Sequence, residues 1–304
     1  MPFDPSLPPP PPTISGSTIS VDAWLNNPTR VTRFLNDLVA GYSIADAMLM
    51  QGPDVPSGAL VYDQLTSTDW FTASDVEEIR PLADFPDLTD TAHNPKVAAS
   101  AKYGGQITIS REARRRNRWD LVIQELTKLR NTVVRKKDTI AVAAIDAAPI
   151  LTASGVDLTS ATSAQIITML PAAKGGIDNS EMGCDADMVL WNPTQGVELI
   201  GNENLLKVLQ SDGPGPGSGS PLRTGRLGRI LDMEMVTSPR ITAGTARVVA
   251  SHQLGGISQE EGSGVLTRTY LKDRSGPEDT VVQAWWPGLV YVSDPKAALS
   301  LSGV

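Results

Sequence analysis

The chain has 304 residues, 40% of them hydrophobic, enough for one large or two ordinary domains. Its 26 Lys and Arg stand against 34 Asp and Glu, and a net charge of −8 argues against a general nucleic-acid binder. A single cysteine, Cys184, excludes an intrachain disulfide framework, and no apolar run approaches the length of a membrane span.

The N-terminal MPFDPSLPPPPP lacks the basic and apolar regions of a signal peptide, so a soluble intracellular product is expected. Residues 1–20 are rich in Pro, Ser and Thr, and Pro8 to Pro12 read as polyproline II or disorder. Val31, Phe34, Leu35, Leu38 and Val39 then recur at helical spacing before Gly41, which predicts a short helix on an extended arm.

From Ala59 to Ile109 the pattern turns strand-like. LVYDQL and WFTASDVEEI read as strand stretches, RPLADFPDLTDTAHNP as an acidic irregular tip, and KVAASAKYGGQITIS as the return. The prediction is a long β-hairpin. Between Asp69 and Asp90 seven acids (Asp69, Asp75, Glu77, Glu78, Asp84, Asp87, Asp90) face one base, Arg80. So long a polar hairpin has little core of its own, which points to packing on another chain; the alternative is a solvated acidic loop.

The stretch Ser110 to Asp146 organises the rest. Trp119, Val122, Ile123, Leu126, Leu129, Val133, Ile140 and Ala144 recur at steps of three and four without Pro or Gly, the signature of one amphipathic helix. Ser110 is its predicted N-cap and Pro149 its stop; at about 1.5 Å per residue it spans roughly 50 Å. Beyond it an α/β region follows. SATSAQIITML reads as a helix ending at Pro171, ADMVLWNP as a buried strand closed by an Asn-Pro turn, and NENLLKVLQ as a short helix. SDGPGPGSGSPLRTGRLG reads as a flexible loop. Strands are predicted in GRILDMEMVTSPRI, ARVVASHQL, LTRTYL, DTVVQAWW and GLVYVSD, with a turn at Pro287–Gly288, and PKAALSLSG closes as a strand or turn.

No reaction centre emerges. The GPGPGSGS run lacks phosphate-loop spacing and context. Glu260–Glu261 and Asp185–Asp187 are acid pairs of a kind common in an acidic protein, and Glu181, Cys184 and Asp187 read as a buried thiol beside polar loop residues rather than a metal site. His93 and His252 have no ligand-spaced partners. No catalytic residue, metal or cofactor is assigned, and the protruding segments favour an assembly role over an enzyme.

Four motifs, in this order, carry a family resemblance: QITISREARRRNRWDLVIQELTKLRNTVVRKKD, ADMVLWNPTQGVELI, GRILDMEMVTSPRITAGTARVVA and VQAWWPGLVYVSDPKAALSL. Together they resemble the major capsid proteins of tailed phages of the Hong Kong 97 type, especially those infecting actinobacteria. The first resembles the strand leading from the E-loop into the spine helix, the next two resemble A-domain segments, and the last is similar to the closing P-domain strand.

The resemblance implies an α+β fold with an N-terminal arm (1–55), an E-loop hairpin (56–105), a spine helix with the first part of the P-domain (106–149), an A-domain (150–250) and the second part of the P-domain (251–304). It implies a structural subunit, self-assembling as hexamers and pentamers into an icosahedral virion shell around double-stranded DNA, without sequence-specific DNA binding and without a membrane. A separate scaffolding protein, a portal and a decoration protein are the implied partners, and the host bacterial cytoplasm the implied place of assembly. An acidic subunit suits a DNA container, since phosphate attraction is strong and non-specific. The alternatives are an encapsulin-type cargo shell and, in another class, a small-oligomer hydrolase using the 181–187 carboxylates and His252.

Two further expectations concern contacts between subunits. Arg111, Arg114, Arg115, Arg116 and Arg118 crowd the predicted helix N-terminus, where each positive charge costs about 0.3–1 kcal/mol against the macrodipole. An anionic partner is therefore expected, either a neighbour's acidic hairpin or packaged DNA. Some relatives crosslink through an E-loop lysine, but here no lysine precedes Lys96, which predicts a non-covalent shell.

Overall fold

The structure is a computed structural model describing all residues except 1–12, 15–16, 19, 26, 40–42, 67–68, 70, 73, 81–83, 89–94, 181, 203–228, 231, 263 and 273–278. Apart from Asn202, the short helix expected in NENLLKVLQ lies outside the described residues, as do the glycine-rich loop that follows, His93 and Glu181.

After a small ribbon of Thr13–Ile14 (β1) and Ser17–Thr18 (β2), three helices form where one was expected: Val21–Leu25 (α1), Pro28–Val39 (α2) and Ile44–Met48 (α3). They are not a detached arm. Val21, Leu25, Val31, Leu35, Ala45 and Met48 are buried, and the Trp24 ring lies edge-on to Phe34 at 5.4 Å and to Trp119 at 5.6 Å. Apolar contact of this kind, with aromatic edges meeting faces, fastens the segment to the body.

Next come Met50–Gln51 (β3), Ala59–Asp63 (β4), Pro95–Ala99 (β5) and Ala101–Ile109 (β6). β4 and β5 pair antiparallel from Ala59↔Ala99 to Asp63↔Pro95, so the predicted hairpin exists. WFTASDVEEI contributes no strand among its described residues, because its charged run offers no alternating apolar face.

The helix predicted from Ser110 is broken into Arg111–Arg115 (α4) and Trp119–Ala147 (α5). Asn117 adopts a left-handed φ of 53°, which asparagine tolerates better than most residues, and its Oδ1 accepts the Val21 N–H at 2.7 Å. The break falls where the apolar periodicity starts, at Trp119. Along α5, Val122, Leu126, Val133, Ala141 and Ile145 are buried against the sheet.

The remaining elements are Leu151–Ser154 (β7), Ser163–Asp178 (α6), Met188–Trp191 (β8), Pro193–Gly201 (α7), Arg229–Ile230 (β9), Met233–Thr237 (β10), Thr245–Val249 (β11), Gly255–Gln259 (β12), Leu266–Leu271 (β13), Thr280–Val292 (β14) and Ala298–Ser302 (β15). Three sequence readings change. α6 runs through Pro171 instead of ending there; a Thr162–Gln165 capping box starts it, and burial of Ile166, Leu170, Ala173 and Ile177 on both sides of the proline offsets the lost hydrogen bond. Asn192-Pro193 is not a turn but the start of α7, with Asn192 Oδ1 accepting the Thr194 N–H at 3.0 Å and Pro193 in the first position. Pro287–Gly288 lies within β14, opposite Lys102 and Ala101 of β6, so two predicted strands are one.

Two main sheets result. A five-stranded sheet joins β13, β14, β12 and β3, with β6 also paired to β14; a six-stranded sheet runs β7-β15-β11-β8-β10-β9. The last strand, β15, pairs in parallel with β7 and antiparallel with β11, so residues 251–304 are divided between the two sheets. The chain passes from the six-stranded to the five-stranded sheet between β11 and β12 and returns to the six-stranded sheet with β15. One contiguous apolar core runs through both sheets and their helices.

A buried polar knot ties α3 to α5. Asp138 Oδ1 accepts the Ser43 hydroxyl at 3.0 Å and the Ala45 N–H at 3.1 Å, while Lys137 pairs with Asp46. Burial is the largest influence on the Asp138 carboxyl and raises it above its ordinary value, although both hydrogen bonds pull the other way. A carboxyl raised in the folded state holds its proton there more tightly than in the unfolded chain. At pH below the ordinary carboxylate value both states are protonated and the group contributes nothing. As pH rises through the raised value, ionisation costs the folded state more, so the charged Asp138 opposes folding at neutral pH. Asp138→Asn keeps the oxygen that accepts both bonds. Denaturant titration should find this variant at least as stable as the wild type at neutral pH, with the difference vanishing in acid. A variant clearly less stable at neutral pH would contradict this.

Candidate assembly surface

The hairpin is fastened where β4 runs into the connecting loop and open on its outer face. Gln64 is buried and donates to the Val292 carbonyl at 3.2 Å, the Leu65 N–H donates to the Ser293 carbonyl at 2.8 Å, and the Tyr62 ring meets Tyr291 at 5.4 Å. On the other face Val61 and Val97 sit directly opposite each other, 66% and 68% exposed. Among the described residues no third strand joins β4 or β5. A two-stranded ribbon with an apolar face and free edges is marginal in water, and covering it would stabilise it.

Beyond the ribbon the acids divide into two groups. Asp69 accepts the Thr66 N–H and hydroxyl, both at 2.6 Å, and Asp75 accepts the Val76 N–H at 2.8 Å, so these two carboxylates brace local turns. Glu77, Glu78, Asp84 and Asp87 are exposed, and Asp90 lies outside the described residues. Exposed Phe71, Val76, Phe85 and Leu88 interleave with them, so the segment is amphipathic rather than simply acidic.

The arginines follow the opposite end of β6. Ser110 caps α4 by accepting the Ala113 N–H at 3.3 Å, the Arg111 N–H donates to the Asp279 carboxylate at 3.2 Å, and the Arg114 guanidinium donates to the Thr280 hydroxyl at 2.8 Å. Because α4 ends at Arg115, both Arg114 and Arg115 occupy its last turn, where positive charge is favourable. The break at Asn117 thus takes Arg114 and Arg115 off the N-terminus of the long helix, while Arg118, the residue that opens α5, keeps the expected penalty. Arg118 pairs with Asp120 at 3.4 Å with both side chains exposed, a contact of little energetic weight. Arg115 and Arg116 are exposed and, among the described residues, form no ion pair. β6 separates the hairpin from the arginines by about 30 Å, given some 3.3 Å per residue. One chain does not bring the two charge groups together.

The residues weighed for catalysis are occupied elsewhere. Asp185 pairs with Lys174 at 2.6 Å, and Asp187 accepts the Ser251 N–H at 2.7 Å. Cys184 is buried, donates to Asp294 at 3.3 Å, and is pushed up to about 12, first by burial, so it stays a thiol. Glu260 and Glu261 are exposed, as is His252, which holds a left-handed φ of 62°. Among the described residues no cluster of His, Cys, Asp and Glu could hold a metal ion.

Two features escaped the sequence. The Val61–Val97 face is invisible there because alternation alone does not say which face a neighbour covers. A cleft of about 600 Å³ between β6 and α5, carrying Lys102, Arg135, Lys136 and Arg240, is the other. Its signal was Gly104–Gly105 within a strand, a pattern that marks room for a close approach.

A family model described as phage capsid protein matches residues 94–301. No curated protein matches the chain. Among solved structures, the virus-like particle from Pyrococcus furiosus is similar with a TM-score of 0.60 at 12% identity, covering 90% of this chain and 98% of that one. The capsid of cyanophage P-SCSP1u is similar with a TM-score of 0.59 at 14% identity, covering 84% and 86%. Mycobacterium phage Che8 gives 0.57 at 8% identity, covering 80% and 84%. At these identities the structural likeness establishes the fold, the α+β capsid architecture implied by the sequence motifs. The family match, from the hairpin's return strand to β15, runs over more than half of the chain and favours neither the hydrolase nor the cargo-shell alternative. The chain belongs to the phage capsid protein family, and its role is structural rather than catalytic.

Proposed function

We propose that the chain is the major capsid subunit of a tailed phage, closing as hexamers and pentamers into an icosahedral shell around double-stranded DNA. The observation that carries this is the hairpin's open apolar face, Val61 against Val97, on a ribbon that no third strand joins among the described residues. A subunit that leaves such a face to water gains stability when a neighbour covers it. Residues 1–55 act as the arm, 56–105 as the E-loop, and α5 with the five-stranded sheet as the P-domain. The six-stranded sheet forms the A-domain, and β15 belongs with it. A scaffolding protein, a portal and a decoration protein are the further partners, assembly takes place in the host cytoplasm, and the net charge of −8 keeps contact with packaged DNA weak.

Electron microscopy of the purified protein tests this reading: closed particles of uniform size are expected, and discrete small oligomers would overturn it. The shell should be non-covalent. Lys96 sits within β5 opposite Tyr62, and the Lys102 ammonium lies 4.4 Å over the Trp285 ring, so both stand on paired strands rather than in the loop that joins β4 to β5. Boiled in detergent, capsids should run as one band near 32.3 kDa. A ladder of multiples resistant to reductant would contradict that.

The exposed arginines supply a second contact, pairing with Glu77 and Glu78 of a neighbour. Isolated exposed pairs contribute little, but pairs enclosed between subunits contribute more. Arg115→Glu combined with Arg116→Glu should leave the subunit folded by circular dichroism and sharply reduce particle yield. Unchanged yield would remove the arginines from the interface.

A further inference from the structure

The cleft beside β6 has a basic rim and an apolar floor. Lys102 of β6, Arg135 and Lys136 of α5, and Arg240 from the turn after β10 form the rim, and among the described residues no acidic one lines it. Among the described residues none of these four cations is in an ion pair, although the chain as a whole is acidic. Tyr103, Leu129 and Val133 supply the floor. Gly104 and Gly105 leave this stretch of β6 without side chains, and a Cβ on Gly105 would make only an ordinary contact, 3.5 Å, with the Leu129 methyl.

The same chain carries a segment of complementary shape and charge. Asp84-Phe85-Pro86-Asp87-Leu88 is exposed throughout, with Phe85 84% exposed between two carboxylates. A bare aromatic flanked by acids matches an apolar floor rimmed by cations, and the proline stiffens the presentation. Within one chain the segment does not occupy the cleft.

We propose that Asp84–Leu88 of a second copy of this chain seats in the cleft. Phe85 packs on Tyr103, Leu129 and Val133, while Asp84 and Asp87 meet the rim cations. This rests on the reading of the chain as a self-assembling shell subunit and names one of its contacts. It is compatible with Glu77 and Glu78 reaching Arg115 and Arg116. The ten residues from Glu77 to Asp87 span at most about 35 Å, and Lys102 and Ile109 lie about 23 Å apart along β6. A DNA phosphate also suits the rim, but it leaves the apolar floor and the bare Phe85 without a role.

The test is disulfide trapping between differently labelled subunits. Subunits carrying Asp87→Cys are co-assembled with subunits carrying Thr132→Cys, a cleft residue, and oxidised in whatever assembly the wild type forms. The proposal expects a reducible band at twice the monomer mass from the mixture and not from either variant alone. Its absence from wild-type-like shells overturns the proposal and leaves the shell reading intact, whereas failure of the wild type itself to form shells defeats the shell reading.

Substitution supplies a second arm. Phe85→Ala should raise the protein concentration needed for assembly roughly tenfold or more, as loss of a buried aromatic anchor does. Arg135→Glu with Lys136→Glu should do the same, and adding Asp84→Lys with Asp87→Lys should restore assembly, which also shows that the variants fold. Normal assembly of Phe85→Ala would overturn the proposal. So would cleft variants that assemble normally but package less DNA, because the cleft would then be a DNA contact.

Discussion

The antiparallel ladder between β6 and β14, nine residue pairs from Ile109↔Thr280 to Ala101↔Gly288, is the interaction on which the rest depends. β6 carries the hairpin at one end and the arginine segment with α5 at the other. β14 is also bonded to β13 and to β12, and through β12 to β3, so the N-terminal segment joins the same sheet. Val282, Ala284 and Trp286 are buried along it. Gly104 allows the close crossing at Trp285, where an added Cβ would collide with the Trp285 Cβ. Without this ladder nothing fixes where the hairpin, the arginines and the cleft stand relative to one another.

The molecule separates interactions that hold the fold from groups left open to neighbours. Charges deep in the body are answered within the chain: Lys137 by Asp46, and Asp138 by Ser43 and Ala45. A buried charge without a partner is strongly destabilising, so these must be satisfied before assembly. At the periphery the rule reverses. Val61, Val97 and Phe85 remain in water, and the cations of the cleft, with Arg115 and Arg116, lack an anion within the described chain. On the proposed reading a free subunit bears that cost and an assembled one does not.

Much of this was legible in the sequence where the physics is local. The period of the apolar residues from Trp119 gave α5, the order of strand and turn signals gave the hairpin, and four motifs gave the capsid architecture. What could not be read depends on tertiary context. The break at Asn117 is set by a hydrogen bond to Val21, almost a hundred positions away in sequence. The continuation of α6 through Pro171 and of β14 through Pro287 reflects packing that outweighs local propensity. β15 sits with β7 because sheet partners, not chain order, decide membership. The break at Asn117 takes Arg114 and Arg115 off the N-terminus of the long helix, where the sequence placed them, and the cleft needed three separated segments to meet.

Hydrogen exchange of free and assembled subunits tests most directly whether the open faces exist for neighbours. Assembly should slow exchange strongly in β4 and β5, at residues 59–63 and 95–99, and around 84–88, while β12 and β14, already protected by their own ladders, change little. Protection spread evenly over the chain, or an unchanged hairpin in the assembled particle, would contradict the account.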